Sequence, residues 1–519
     1  MSTGFITPAA IHYVRNHGAA PACTWDAHRV TLTGAAWRYA LMPPPAACTH
    51  SFSRTGIAGG DRVYSMEDIV AMPSHELPVL LVCAGNRRKE ENMLKQTIGF
   101  SWGPSAAATS VWKGVPLWRF LHAAGITEPT EAAQYVCFRG PVKELPKGED
   151  GSYGTSIPMH MALDPASDVL IAYEQNGARL SVDHGFPVRL IIPGWIGGRM
   201  IKWLVEIKVS STPSDNFYHF NDNRILPPEI DAERATAEGW WYKPEYIFNE
   251  LNINSVIASP AHDEVLRIER SANLQPYTMR GYAYTGGGRP VTRVEVSIDG
   301  GISWQLTKLT SAAKPTKYGR HWCWVFWELE LDARALLLTR EVCCRAWDAG
   351  NNTQPRAITW NVMGMGNNCY FTVRVHPEPT ADGGLTLRFE HPTEPGALKG
   401  GWMGNTAGGW KVRCLRCARA SSALRLTPAF ACAAQRAADA DAGCCARGGG
   451  ARACVQQQCA RPGAEEQRQV LYHGAGGAAQ HGGGLLDCGG WQGVRHHRLQ
   501  QVAPRRRLLH LHQRRHGHD

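Results

Sequence analysis

Apolar positions in the first half of the chain come in short continuous runs separated by mixed stretches. LPVLLVC, from Leu77 to Cys83, has the branched, uninterrupted character of a buried strand, and the AGN that follows stops it with small and turn-forming residues. RLIIPG and WLVEIKVSS repeat that signature, while SMEDIVAM and VPLWRFLHAAGI carry helix-compatible spacing. Up to about residue 250 this predicts a mixed α and β domain. From Ser255 to about Val375 the rhythm changes to short strands punctuated by turns, in YTMRGYAYTGGGRPVTRVEVSIDGGISWQL, HWCWVFWELELD and REVCCRAWDAGNNT. Alternation in RVEVSI, the DGG turn and the aromatic strand after it predict an antiparallel β-sandwich of roughly one hundred residues. TLRFEHPTEPG and a Gly- and Trp-rich stretch follow, and no internal repeat is evident.

Composition sharpens this division. A chain of 519 residues allows two or three domains with sizeable cores. The start carries no signal-peptide pattern and no apolar run reaches the ~18 residues a membrane helix needs, so the reading is a cytoplasmic protein without disulfides as the default. Formal net charge is +10, which alone suggests an anionic partner. After Val412, however, there are 16 Arg and no Lys against 6 Asp and Glu, and the remainder balances at 39 basic and 39 acidic residues. The excess belongs to a tail that also holds half of the 16 cysteines, lacks Ile, Met and Asn, and has a single Phe. Such a segment offers too little apolar area to offset chain entropy. Its RCLRC pair has no second pair at matching spacing, so zinc is weakly supported, and no nucleic-acid or membrane partner is expected.

Cys83 ends its strand just before Arg87 and Arg88. Read alone, it is either a buried structural cysteine or a thiolate favoured by the two arginines, and a thiolate is a metal ligand.

Taken together, YVRNHG, VCAGNRRKE, GFSWG, DHGFPVRLIIPGWIGGRMIKWL, SDNFYHFNDNRILP, EGWWYKPEYIFNELNINSVI and FEHPTEPG resemble the molybdenum-binding half of the eukaryotic assimilatory nitrate reductases, within the sulfite oxidase family. The likeness runs from about Gly4 to Trp402. It implies an α+β fold, with a sulfite-oxidase-like molybdopterin domain at 4–250 and an immunoglobulin-like β-sandwich at 251–403 that forms a homodimer. It also implies reduction of nitrate to nitrite in nitrate assimilation. Cys83 matches the molybdenum-ligating cysteine. Arg15, Asn16, His17, His184, Arg189, Arg199 and Lys202 match residues around the pterin and its phosphate, a group that calls for charge-assisted donors. Arg88, Trp102 and Asn216 match the substrate face, where a guanidinium fork and an amide could hold two oxygens of planar nitrate. Lys89 and Lys95 are read as solvated charges or as supports behind that face. Sulfite oxidation on the same fold, or a catalytically inactive fragment, is the alternative.

Two regions depart from the resemblance. AAWRYALMPPPAACTHSFSRTGIAGG interrupts the match between Gly34 and Asp61 and is read as an insertion, from unspliced or wrongly spliced message or as a long loop. Beyond 404 the haem and flavin (FAD) domains of the full-length family are not legible. QGVRHHRLQQVAPRRRLLHLHQRR can be encoded so that a shift of one nucleotide gives KVYDTTAFNKLHPGGDSSIFINA, a likeness of a cytochrome b5 haem segment. Residues 404–519 are therefore read as an out-of-frame, disordered tail.

Overall fold

The computed structural model describes residues 4–34, 61–268, 276–396, 398 and 400–404. The readings of an inserted segment and of an out-of-frame tail concern residues 35–60 and 405–519, which lie outside the described residues, as does the tail's cysteine pair.

The strand His75–Val82 explains the fold around it. Its odd residues Leu77, Val79 and Leu81 belong to one hydrophobic core, while Leu80, Val82 and the following Ala84 belong to a second. A strand that serves as a wall between two cores needs apolar side chains on both faces, which is why the sequence runs LPVLLV without alternation. It pairs antiparallel with Ala107–Pro116, which pairs with Leu170–Gln175, and Arg189–Ile191 joins the far side of the latter. A second sheet orders Arg62–Ser65, Arg29–Thr33, Glu206–Ser210, Tyr135–Arg139 and Gly154–Pro158, with only the Arg29–Thr33 and Glu206–Ser210 pair parallel. The helix Met66–Ala71 starts on a capping box, Ser65 with Asp68, and buries Met66 and Ile69. Leu117–Ala123 buries Leu117, Phe120 and Leu121 in the first core, beside Trp112 and Phe138.

From Asn254 onward the described strands form two antiparallel sheets. The first orders Asn254–Ser259, Tyr277–Tyr284, Val325–Leu331 and Lys308–Thr310. The second orders Val265–Ile268, Leu385–Glu390, Phe371–Pro379, Glu341–Asp348, Val291–Ser297 and Gln305–Leu306. Trp327, Val294, Val373, Phe371 and Phe389 form the second core with Leu226, Ile230 and Phe248 from upstream. Gly281 is required there, because a Cβ at that position would lie 2.3 Å from the Trp327 ring. No helix among the described residues is long and apolar enough to cross a membrane.

Candidate functional site

Where the wall strand ends, a cavity of about 790 Å³ opens. Cys83 sits on its lining, and so do Arg15, Asn16, His17, Arg88, His184, Arg189 and Lys202. Sequence positions up to 187 apart thus meet at one surface, and its charge is lopsided: Arg15, Arg88, Lys147, Arg189 and Lys202 face only Glu144 and Asp222. Such a concave, cationic surface selects an anion.

Cys83 is held by its backbone. Its N–H donates to Ala106 O at 3.0 Å, and its carbonyl accepts from Asn86 N at 2.9 Å to start a turn. Arg87 then adopts the left-handed conformation, φ 67°, at the N-cap of the helix Arg88–Leu94. This reversal sends the two arginines apart. Arg87 enters the second core, pairing with Glu90 at 2.8 Å and donating to Asn254 Oδ1 and Cys369 O, while Asn367 donates to its carbonyl. Burial penalises its charge, but Glu90 outweighs that and holds the guanidinium above its ordinary range.

Arg88 turns into the cavity wall. Its Nε donates to Met363 O at 2.8 Å and Gly364 O at 2.9 Å, and Nη1 donates to Phe100 O at 2.7 Å. Nη2 has no hydrogen-bond partner among the described residues. The guanidinium fits because Gly85 and Gly99 leave the space: a Cβ would come within 2.4 Å and 2.1 Å of it.

Burial opposes the thiolate expected at Cys83. Burial pushes the thiol up from its ordinary value, and only Arg88, the Gly85 backbone and Arg15 pull against that. Arg87, half of the electropositive pair read from sequence, faces elsewhere. A metal displacing the proton would reverse the balance.

Several of the cationic residues hold buried polar atoms without a hydrogen-bond partner. His184 accepts or donates at Nδ1 with Ser181 Oγ, 2.7 Å, but its buried Nε2 has no partner, and the same holds for Nε of Arg189. Burial pulls Arg189 and Arg199 down to about 10 and Lys202 down to about 7, with Arg189 adding to the last shift. Lys202 Nζ donates to Asn16 Oδ1 and to Asp183 O at 2.7 Å. His17 lies 3.6 Å from Asp222, which also lines the cavity.

These residues fit the phosphate of a pterin cofactor, which would satisfy the orphaned donors. Cys83 lies on the same wall, and its soft sulfur would suit the cofactor's metal.

Lys202 makes this testable. A bound sulfate would restore its proton, so the lysine's contribution is full below pH 7 and is lost as pH rises past about 7. Calorimetric titration of cofactor-free protein with sulfate should show affinity falling by up to about tenfold per pH unit between pH 7 and 9. Lys202→Met should flatten that slope, and an equally steep slope in the variant would remove Lys202 from anion binding.

Not every position anticipated from sequence reaches the wall. Arg199 lies behind it, donating to Phe248 O and touching His219 Nδ1, both at 3.4 Å. Trp102 stacks its edge on Tyr13 and leans on Phe100, both wall residues, and its buried Nε1 has no partner. Asn216 is occupied elsewhere: its Oδ1 accepts from Tyr218 N and its Nδ2 donates to Ser152 O and Oγ. The same motif does supply wall residues, Asn221, Asp222 and Asn223. Lys89 is buried, its Nζ donating to the carbonyls of Glu394, Gly396 and Leu398, which makes it a support and not a solvated charge. Lys95 lies over the Trp360 ring. Tyr13, Tyr153, Met363 and Met365 line the cavity without any local signal that would have singled them out.

Comparison with known proteins identifies the family. Residues 41–218 match the oxidoreductase molybdopterin binding domain, and residues 245–378 match the Mo-co oxidoreductase dimerisation domain. The chain is 52% identical to the NADH nitrate reductase of Volvox carteri over 425 residues, 82% of this chain and 46% of that protein. It is likewise 52% identical to NADH nitrate reductase 1 of Nicotiana tabacum over 404 residues, 78% of this chain and 42% of that protein. The chain thus spans less than half the length of these relatives. Among solved structures, the sulfane dehydrogenase SoxCD of Paracoccus pantotrophus has the same fold, with a TM-score of 0.52 at 23% identity, covering 74% of this chain and 83% of that one.

Proposed function

Since the chain belongs to the molybdopterin-binding oxidoreductases, we propose that it reduces nitrate to nitrite at the cavity beside Cys83. The observation that carries this reading is Arg88, fixed by three carbonyls next to Cys83 with Nη2 left for an anion. The balanced reaction takes one nitrate, two electrons and two protons to nitrite and water, so a reductant must be supplied.

Cys83 is the residue for molybdenum. Arg15, Asn16, His17, His184, Arg189 and Lys202 are the residues for the pterin and its phosphate, with Arg199 behind them. When bound, that cofactor supplies two-electron oxygen-atom chemistry. The chain's own part is binding and orientation. The cationic wall draws nitrate in, and Arg88 presents a charge-assisted donor to one oxygen. The carbonyls of Met363, Gly364 and Phe100 hold that donor in place before substrate arrives, which spares the cost of ordering it. Trp102 backs Phe100 and Tyr13. Asn216 acts one step removed, by capping the helix Phe217–Phe220 that leads into Asn221–Asn223. Pairing of two chains through the β-sandwich, a place in nitrate assimilation and a cytoplasmic setting complete the reading.

The cofactor-loaded chain with a reduced viologen dye should form nitrite from nitrate far faster than it oxidises sulfite with ferricyanide. Faster sulfite oxidation would replace this reading with the sulfite oxidase alternative, which no observation here favours.

A further inference from the structure

The segment 361–366 reaches the cavity from the β-sandwich half, and the stretch that carries Cys83 and Arg88 grips it at several points. Gly366 N donates to Ala84 O at 2.9 Å, next to Cys83. Arg88 Nε donates to Met363 O and Gly364 O. One helical turn beyond Arg88, Glu91 is fully buried, and its Oε2 accepts from Asn361 N at 3.0 Å and Asn361 Nδ2 at 3.3 Å.

Asn361 in turn closes the segment on itself. Its Nδ2 donates to Met365 O at 2.9 Å, its Oδ1 accepts from Met365 N at 3.2 Å, and its carbonyl accepts from Gly364 N at 2.9 Å. This clasp presents the carbonyls of Met363 and Gly364 together toward one guanidinium, and it places the Met363 and Met365 side chains on the cavity wall. Positive φ at Gly364, 59°, and at Gly366, 72°, allows the tight path.

We propose that Glu91, acting through Asn361, is a positioning residue that holds the 361–365 clasp and thereby sets the aim of Arg88 and the affinity of the cavity for its anion. This rests on the reading that Arg88 receives nitrate. Glu91 does not line the cavity; it acts on Arg88 through the clasp carbonyls and through its own nearness to the guanidinium. Spacing explains the arrangement: residues three apart on a helix share a face, so Arg88 and Glu91 take hold of the same segment from one side. Burial pushes the Glu91 carboxyl up, against the pull of the Asn361 N–H and of the Arg88 charge, and its role in the clasp is that of a hydrogen-bond acceptor at Oε2. A glutamine can serve the same role.

The test uses dye-reduced holoenzyme with molybdenum content measured in each preparation. Glu91→Ala should raise the KM for nitrate about tenfold or more while kcat stays within about twofold and molybdenum content is unchanged, the pattern of a misplaced binding group. Glu91→Gln should restore a low KM. Asn361→Ala, which keeps Glu91, should match Glu91→Ala, and the double variant should be no worse than either single one. An unchanged KM in Glu91→Ala, a glutamine variant as impaired as alanine, or multiplied effects in the double variant would overturn the proposal. If Glu91→Ala does not fold, Asn361→Ala decides alone, and an unchanged KM there overturns it. If the unsubstituted holoenzyme reduces no nitrate, the nitrate reading fails on its own, and calorimetric Kd values for nitrate in the same variants then replace KM with the same pattern required.

Discussion

Cys83→Ser is expected to abolish dye-driven nitrate reduction while leaving the protein folded. The substitution exchanges a soft, polarisable sulfur for a hard oxygen at the side chain proposed to ligate the metal, which would change both the metal's affinity and its redox balance. The loss should exceed about a hundredfold, the scale already reached when a group that merely supports a metal ligand is removed. Folding should survive because the position is held by backbone bonds, Cys83 N to Ala106 O and Asn86 N to Cys83 O, and these do not involve sulfur. Thermal unfolding of the cofactor-free variant should therefore match that of the unsubstituted chain. Nitrite formation at an unaltered rate would end the assignment of Cys83 as ligand, and a large drop in melting temperature would mean that the residue is structural.

Arg88→Ala is the second large effect, and it should fall on substrate. Removing a buried, charge-assisted donor costs about 2 to 4 kcal/mol, or roughly thirty-fold to a thousandfold in kcat/KM for nitrate. Part of that cost comes from leaving the carbonyls of Met363, Gly364 and Phe100 without their donor. Gly99→Ala separates the two contributions, since its Cβ would lie 2.1 Å from the guanidinium and must displace it without removing its charge. A loss in Gly99→Ala approaching that of Arg88→Ala would show that the aim of the guanidinium matters as much as its presence. An Arg88→Ala enzyme with unchanged kcat/KM would remove Arg88 from nitrate binding.

How much of this was legible depended on whether the signal was local. The strand ending at Cys83 was readable because a wall between two cores admits only apolar residues, and six of them in succession are hard to mistake. The sandwich was readable from alternation and turns. The basic residues from His184 to Lys202 could be singled out because they lie within one recognisable motif, though Arg199 stands behind the wall. Arg87 and Arg88, by contrast, are identical in type and adjacent, and only the left-handed turn at Arg87 decides which one enters the cavity. That turn is stabilised by partners at 254, 367 and 369, far beyond any local window. Asn216 shows the reverse error of reach: its motif borders the cavity, but its own amide is consumed by capping and by Ser152. Glu91 and Asn361 carried no signal, since a glutamate on a charged helix reads as a solvated face until the segment that covers it is in place.

The dependence of the Cys83 turn on residues 361–370 also has a consequence for the order in which the protein is made. A ribosome delivers Cys83, Arg87 and Arg88 long before it delivers the carbonyls that hold them, and in that interval the Arg87–Glu90 pair has neither Asn254 nor Cys369 to complete its cage. Contacts between such distant positions close late and slowly. The turn that carries Cys83 can therefore take its final shape only after the second half has been synthesised and docked.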